Sequence, residues 1–301
     1  MKDYSSLIIG GSGFIGKSLL RSLPDGTSLS LRSEDWRSHI NEARTWVNLV
    51  GKAHDHKGGV IEGDYYYANV TLAKEVFEAF LNSSANLLVH ISSLAAVEEF
   101  ESFKPLVETD KCNPLSWYGK SKREAEQWLI EQKLPENKKL IILRPPMVHG
   151  PGDKGNLGLL YKFISKGIPY PLSSFDNRRS FISIDNFIYF VREIIDKQET
   201  LGSGIYHISD DEPISTKEII AVIKEVTRKN TMNIALPKSI VKAIAKIGDF
   251  LPIPLNSKRL KKMTSNLLVS NLKIKQALEI DKLPLSARAG LEKTIRSFTT
   301  L

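Results

Sequence analysis

A short apolar run followed at once by a glycine-rich turn is the feature that most constrains this chain. Residues 6–9 have the composition of a buried strand, and Gly10, Gly13 and Gly16 follow with the spacing G-x-x-G-x-x-G. Residues 14–23 then have the pattern of a helix. A sharp strand-to-helix turn without Cβ atoms lets a pyrophosphate approach the free N–H groups at the helix N-terminus. We therefore predict a dinucleotide site here, and the alternative is a glycine-rich turn without a ligand.

The rest of the first half alternates strand-like and helix-like segments. The pattern predicts strands over residues 28–32, 45–50, 86–92 and 139–144, and helices over residues 68–82 and 118–132. Short apolar runs that alternate with amphipathic helices are typical of a parallel sheet with helices on both faces. We predict an α/β fold in which residues 1–150 form a Rossmann-type, doubly wound parallel sheet that binds a dinucleotide.

The pattern changes after Gly150, where Gly, Pro, Asn and Ser become frequent up to residue 179. Further on, the sequence predicts strands over residues 180–184 and 205–209, and helices over residues 185–197, 216–228, 239–250, 271–278 and 286–297. We predict that residues 151–301 form a smaller, mainly helical C-terminal lobe that binds substrate. Elements from about residue 180 to 210 are expected to return to the sheet.

Charge and composition exclude several other classes of protein. The formal net charge is +8, but its clusters, such as Lys258–Lys262, lack the interleaved aromatic residues of a nucleic-acid-binding module, so we expect no nucleic-acid partner. The chain has no run of 18 apolar residues and hence no expected membrane span. Residues 236–253 are interpreted as an amphipathic surface helix, with contact to a membrane surface as the alternative. The single cysteine, Cys112, excludes an internal disulfide, and we expect no metal site and a cytoplasmic protein.

Tyr118 and Lys122 have the spacing Y-x-x-x-K at the start of a predicted helix. Residues four apart lie on one helical face. A tyrosine has an ordinary pKa of roughly 10, which a nearby ammonium and a positively charged nicotinamide ring would lower. Ser93, at the end of the strand before this helix, could bind the same substrate oxygen. We predict an acid–base pair with an orienting hydroxyl; a surface pair and a capping serine are the alternatives.

The second predicted strand bears on the choice of cofactor. Dinucleotide folds usually place an acidic residue at its end to bind the ribose hydroxyls of NAD. Here that strand ends with Arg32, and Glu34 and Asp35 come two or three residues later. Arg32 could meet a 2′-phosphate, so we expect NAD(P) with a preference for NADP. Stacking of Arg32 on adenine is the alternative.

These motifs, together with Arg144-Pro145-Pro146-Met147-Val148-His149-Gly150-Pro151-Gly152, resemble those of the extended short-chain dehydrogenase/reductases. Within that group the chain resembles the NAD-dependent epimerase/dehydratase family of sugar-nucleotide enzymes. The resemblance implies that Tyr118 is the acid–base, Lys122 its tuning partner and Ser93 the orienting hydroxyl, with Ser92 as the substitute. It also implies that Asn156 and Arg179 bind the diphosphate of a nucleotide sugar. The expected cofactor-binding residues are Gly10, Gly13, Phe14, Ile15, Gly16, Arg32, Tyr118, Lys122 and Pro145.

The resemblance leaves the reaction open. The 4,6-dehydratases carry an Asp-Glu pair where Leu94 and Ala95 stand here, so we do not expect elimination of water. A 4-epimerase and a 4-ketoreductase would use the same residues, with a UDP-sugar as the favoured substrate. A catalytically silent dinucleotide-binding protein is the alternative. Family members often dimerise through the helices predicted at residues 68–82 and 118–132.

The remaining cysteine and histidines are expected to have lesser roles. Cys112 is interpreted as an incidental loop thiol, with a second acid–base as the alternative. His54 and His56 could line the cofactor cleft, but two histidines in a loop make a poor metal site without a third ligand. His90 lies inside a predicted strand and is expected in the core.

Overall fold

The structure is a computed structural model that describes residues 5–40, 42–53, 59–153, 155–167, 174–229, 234–251 and 256–299. Its strands are β1 (Ser6–Ile9), β2 (Gly26–Leu29), β3 (Thr45–Asn48), β4 (Leu87–Ile91), β5 (Lys139–Arg144), β6 (Met147–His149), β7 (Phe181–Ser183) and β8 (Gly204–His207). Its α-helices are α1 (Phe14–Ser22), α2 (Glu62–Tyr66), α3 (Leu72–Leu81), α4 (Trp117–Glu131), α5 (Asn156–Ser165), α6 (Ile184–Asp196), α7 (Thr216–Thr227), α8 (Lys238–Ile247), α9 (Ser257–Thr264), α10 (Leu272–Ala277) and α11 (Ala287–Thr299).

Six strands form a parallel sheet in the order β2-β1-β3-β4-β5-β8, and β6 pairs with β7 in a separate parallel pair. The order runs in opposite directions on the two sides of β1 and β3. In an open α/β sheet this reversal opens a crevice at the carboxyl ends of the two strands, where ligands bind. The structure therefore confirms the predicted Rossmann-type fold and places the glycine turn at the crevice.

Helices cover both faces of the sheet, as the alternating pattern predicts. On one face, Leu19 of α1 and Phe187 and Phe190 of α6 pack against the strands. On the other face, Phe77 of α3 and Leu129 of α4 do so. Because both faces are covered, the central strands are mostly apolar and lie fully buried.

Strand β2 ends earlier than the sequence predicts. The expected strand over residues 28–32 is wrong at both ends, because β2 covers Gly26–Leu29. Its last residue pairs with Ile9, the last residue of β1, so there is no partner strand beyond Leu29. Arg32 therefore lies in an exposed turn, three residues past the strand. Within the described part of residues 30–44, a single 3₁₀ turn at Trp36–His39 replaces a strand–helix unit.

The C-terminal half divides between the sheet and a second core. Strand β8 joins the sheet beside β5, as expected for elements that return to it. A second cluster, which includes Ile223 of α7 and Leu291 of α11, holds the helical lobe together. The division of the chain at residue 150 stays a prediction, as does a dimer through α3 and α4.

Four elements are absent from the sequence-based prediction: α2, α5, α9 and β6. In α5 the apolar residues Leu157, Leu160, Tyr161 and Ile164 have helical spacing and pack on the second core, so this helix could have been predicted. Helix α9 has a single buried residue, Leu260, among basic side chains and shows no such pattern. None of the helices in the described residues is long and apolar enough to span a membrane.

Candidate active site

The glycine turn between β1 and α1 has the geometry that a phosphate site needs. Gly10 has φ +89°, a conformation that residues with a Cβ rarely adopt. A Cβ on Gly16 would lie 2.6 Å from the carbonyl oxygen of Gly10, so only glycine fits there. Helix α1 begins after Gly13 without a side-chain cap, and its first turn holds no acidic residue. Its terminal N–H groups are thus available to an anion, and the residues fit a dinucleotide pyrophosphate.

Ser93 and Tyr118 meet just beyond the carboxyl end of β4. Ser93 follows Ser92 after the strand, and its Oγ also accepts a hydrogen bond from the backbone N–H of Ala95 (3.2 Å). Tyr118 lies in the first turn of α4, which Ser116 caps. A hydrogen bond from Ser93 to the Tyr118 side chain lowers the pKa of the phenol, but burial has the larger effect and raises it.

The pKa of Tyr118 is therefore raised, not lowered. Burial is the main cause, and the negative charge of Glu99 and the nearby Tyr65 add to it. In the protein by itself, burial outweighs the stabilisation of the phenolate, and the expectation that Lys122 and a nicotinamide ring together lower the pKa stays a prediction.

Lys122 lies one helical turn after Tyr118 and is buried. Its Nζ donates a hydrogen bond to the carbonyl oxygen of Ile91 at the end of β4 (2.9 Å). A Cβ on Gly51, just after β3, would lie 2.9 Å from the same Nζ. Burial lowers the pKa of Lys122 to about 8, while the charge of Glu126 opposes the shift. The ammonium thus lies between the ends of β3 and β4, beside the crevice.

A buried ion pair holds this end of the site in place. Both carboxylate oxygens of Glu126 accept from Arg144, at 2.8 Å from Nε and 2.6 Å from Nη2. Ser92 Oγ donates to Glu126 Oε1 at 2.5 Å. Because this bond commits the Ser92 hydroxyl, Ser93 is the strand-end serine that faces Tyr118.

Asn69 is a buried polar residue that sequence reasoning missed. Its Oδ1 accepts from the backbone N–H of Lys52 (2.8 Å), and its Nδ2 donates to Ser121 Oγ (2.9 Å). It therefore ties the loop after β3 to helix α4, between Tyr118 and Lys122. A lone asparagine within an amphipathic segment carries no signal of such a role, because its partners are distant in sequence.

Arg179 lies at the start of the helical lobe together with two lysines of α9. Its Nη1 donates to the carbonyl oxygens of Phe100 (3.1 Å) and Ser265 (3.3 Å), and burial lowers its pKa to about 10. Burial also lowers the pKa of Lys262; Glu99 raises it, and the charges of Lys258 and Arg179 lower it further. Lys262 thus lies within electrostatic range of both Arg179 and Lys258.

Lys258 and Lys262 were not among the predicted site residues. Their spacing of four places both on one face of α9. The sequence shows this only as part of a basic cluster on the surface. The charge of Glu99 acts on both Lys262 and Tyr118, so the cation group and the phenol share one neighbourhood.

The remaining predicted residues are placed as follows. Pro145 is buried, and its carbonyl oxygen accepts from the N–H of Leu94 (2.8 Å). Phe14 and Ile15 are partly buried at the start of α1, and Arg32 is exposed. Asn156 is the first residue of α5, but its side chain lies outside the described part of the structure, as do His54 and His56.

Cys112 lies apart from the acid–base group, whereas His90 lies in the core close enough to Lys122 to be affected by its charge. Cys112 Sγ is 3.7 Å from Arg144 Nη2 and borders a cavity of about 530 Å³ whose lining includes neither Tyr118 nor Arg179. His90 is buried in β4, as expected, and burial together with the charge of Lys122 lowers its pKa to about 3.

The fold and this group of residues define a class of protein. A parallel doubly wound sheet, a glycine turn at its crevice and a Ser–Tyr–Lys group at the adjoining strand end are the parts of a dinucleotide-dependent enzyme. The sequence profile of the NAD dependent epimerase/dehydratase family matches residues 6–209, more than half of the chain. The chain therefore belongs to this family, and it is an NAD(P)-dependent enzyme of the extended short-chain dehydrogenase/reductase type.

Individual relatives are more distant. The chain is 26% identical to a UDP-glucose 4-epimerase of Vibrio cholerae over 320 aligned positions, which cover 98% of this chain and 95% of the relative. It is also 26% identical to the N-acetyl-alpha-D-glucosaminyl-diphospho-ditrans,octacis-undecaprenol 4-epimerase of Escherichia coli O157:H7, over 77% of this chain and 75% of the relative.

A solved structure shows the same fold. The UDP-glucuronic acid 4-epimerase from Bacillus cereus in complex with NAD is similar with a TM-score of 0.76 and 16% identity, over 98% of both chains. At this identity the likeness supports the architecture and not the substrate.

Proposed function

We propose that this protein is a 4-epimerase of a nucleotide-diphosphate sugar, with a UDP-sugar as substrate. The observation that carries the proposal is the meeting of Ser93 with Tyr118, one helical turn before Lys122, at the crevice that begins with the glycine turn. The names of the relatives support the reaction class, because both are 4-epimerases of diphospho-sugars.

Tyr118 is the proposed acid–base. Its phenolate would take the proton of the sugar 4-hydroxyl, and a dinucleotide held at the glycine turn would supply the hydride acceptor for C4, so that a 4-keto sugar would form. The same cofactor would supply hydride to the opposite face of C4, and Tyr118 would return the proton to the 4-oxygen, which would give the epimer. Ser93 orients the substrate oxygen. Because burial raises the pKa of Tyr118, the positive charges of Lys122 and of the oxidised nicotinamide would favour the phenolate when cofactor is bound.

The diphosphate of the substrate is assigned to Arg179, together with Asn156 from the family resemblance. A guanidinium binds phosphate oxygens in a bidentate manner, and Lys258 and Lys262 add positive charge on the same side. Both Nη1 hydrogen bonds of Arg179 go to backbone carbonyls, so no carboxylate neutralises it through them.

The proposed cofactor is NAD(P), with a preference for NADP. The argument rests on Arg32, which is exposed just past β2, where the ribose acid of NAD-specific folds is usually found. Arg37 is a weaker candidate for the 2′-phosphate because it stacks on Trp36 and pairs with Glu75 (3.6 Å).

A substrate screen tests the function. The purified protein is incubated with NAD(P) and with UDP-glucose, UDP-galactose, their N-acetylamino counterparts and UDP-glucuronic acid, and products are identified by NMR. We expect interconversion of one 4-epimer pair without net change in the absorbance at the wavelength of reduced nicotinamide.

Consumption of NAD(P)H with a 4-keto sugar, and no epimerisation, would instead identify a 4-ketoreductase that uses the same residues. Bound dinucleotide with no turnover of any sugar would contradict both reactions and favour a silent binding protein.

A further inference from the structure

Helix α8 carries an apolar stripe that faces solvent. Ile240, Ile244 and Ile247, followed by Leu251, recur at intervals of four, three and four residues, so they lie on one side of the helix. All four are exposed, and Ile247 is 53% exposed. A different face of α8, with Val241 and Ala245, packs on the core of the helical lobe. The stripe is therefore additional to what the lobe needs for packing.

The stripe continues into the turn that follows α8. Phe250 is 89% exposed, although its N–H is held by the carbonyl oxygen of Ile247 (3.1 Å). Asp249 ties this end of α8 to the start of α9, accepting from both the N–H (2.9 Å) and the Oγ (2.6 Å) of Ser257. Phe250 thus protrudes from an anchored turn.

The same region holds most of the net charge of the chain. Residues 234–262 contain seven basic residues and one acidic residue, a net charge of +6 out of +8 for the whole chain. The basic residues are Lys238, Lys242, Lys246, Lys258, Arg259, Lys261 and Lys262. Exposed apolar side chains beside concentrated positive charge are complementary to a surface that is both apolar and anionic.

A second copy of the chain is a poor occupant of this face. A two-fold contact through the same patch would bring two surfaces of charge +6 together, and like charges across an interface are unfavourable. A lipid surface with anionic head groups has the opposite charge and accepts isoleucine and phenylalanine side chains among its acyl chains.

We infer that the face formed by Ile240, Ile244, Ile247, Phe250 and Leu251, with the lysines of α8 and α9, docks on an anionic phospholipid membrane. The contact is peripheral, because α8 is too short to span a bilayer. Helix α9 packs against α8 and also places Lys258 and Lys262 toward Arg179. Docking would therefore hold the mouth of the anion site close to the membrane surface.

Vesicle sedimentation tests the inference with the full-length protein. The protein is mixed with vesicles of phosphatidylcholine alone or with 30% phosphatidylglycerol. We expect binding only to the anionic vesicles. The variant Ile247→Gln/Phe250→Ser should bind at least tenfold more weakly, because the apolar insertion is lost. The variant Lys242→Glu/Lys246→Glu should also bind more weakly and lose most of the salt dependence.

Two matched controls separate the face from general surface effects. Ile130→Gln/Leu272→Gln replaces two apolar residues that are 52% and 58% exposed, on α4 and α10. Lys111→Glu/Lys133→Glu makes the same charge change on exposed lysines elsewhere. Both should retain more vesicle binding than the corresponding α8 variant. Thermal midpoints of all variants check that the fold is intact.

Equal vesicle binding by the wild type and Ile247→Gln/Phe250→Ser would overturn the inference, as would no binding at all. A dimer detected by light scattering would also overturn the inference if this variant abolished the dimer and left vesicle binding unchanged. Turnover of a water-soluble UDP-sugar should be unchanged in the α8 variants, so a failure here is distinguishable from a failure of the proposed function.

Discussion

Two parts of the dinucleotide cleft are built in opposite ways. At the ends of β3 and β4, Lys122 and Glu126 are buried and bonded to groups from other elements. Just past the end of β2, Arg32 is exposed, and its backbone N–H donates a hydrogen bond to Ser30 Oγ (3.4 Å).

The difference follows from what each part has to do. Hydride transfer needs reacting atoms in a fixed geometry, and small displacements are costly, so its groups are held by a core. Recognition of a phosphate by a charge tolerates an exposed, mobile side chain. The first part should therefore respond to mutation with large losses of rate or stability, and the second with modest changes of preference.

The largest expected effect is that of Tyr118→Phe. Loss of the acid–base hydroxyl should lower kcat about 10²- to 10⁴-fold, while dinucleotide affinity stays within a few-fold. Single-turnover kinetics and a fluorescence titration of NAD(P)H measure the two quantities. Tyr65→Phe, whose ring centroid is 6.5 Å from that of Tyr118, is the control and should keep most activity. A Tyr118→Phe enzyme with near wild-type kcat would contradict the assignment.

Arg144→Met should have the largest effect on stability. It leaves the buried Glu126 carboxylate with only the longer ion pair to Arg123 (3.3 Å), which costs up to about 3–5 kcal/mol in the free energy of unfolding. Urea denaturation gives the value. The control is Arg296→Met, which removes an exposed pair with Glu292 and should cost less than about 1 kcal/mol. Similar costs for the two variants would show that the buried pair does not hold the site.

Arg32→Ala tests the exposed part of the cleft. Loss of one charge-assisted contact to a 2′-phosphate at an exposed position should raise the Kd for NADP about tenfold and leave that for NAD unchanged. Arg37→Ala is the matched control, because that guanidinium already pairs with Glu75. Equal weakening of both cofactors by Arg32→Ala would favour stacking on adenine over phosphate recognition.

The smallest effect is expected for Glu99→Gln. The charge of Glu99 raises the pKa of Tyr118, so its removal should lower that pKa. If the phenolate is the active base, the rising limb of kcat against pH moves to lower pH, with the maximal rate little changed. Glu98→Gln is the control, since that carboxylate accepts from the N–H groups of Glu99 and Phe100. A shift to higher pH would contradict this account of the phenol.

The relative positions of residues close together in the chain could be predicted from the sequence. The glycine turn with its φ +89° at Gly10, the common face of Tyr118 and Lys122, and the alternation that predicts the sheet all depend on local backbone geometry. In a turn or a helix the spacing in sequence determines the spacing in space, so these features could be predicted.

Contacts between distant segments were decided only by the tertiary structure. The sequence could not tell that Glu126 engages Ser92 and leaves Ser93 to Tyr118, or that β2 stops where β1 stops. It could not show that Lys258 and Lys262 lie near Arg179, about eighty residues away in the chain, or that burial raises the pKa of Tyr118. Such contacts depend on how sheet and lobe pack together, and burial is a property of the packed molecule, which no local pattern contains.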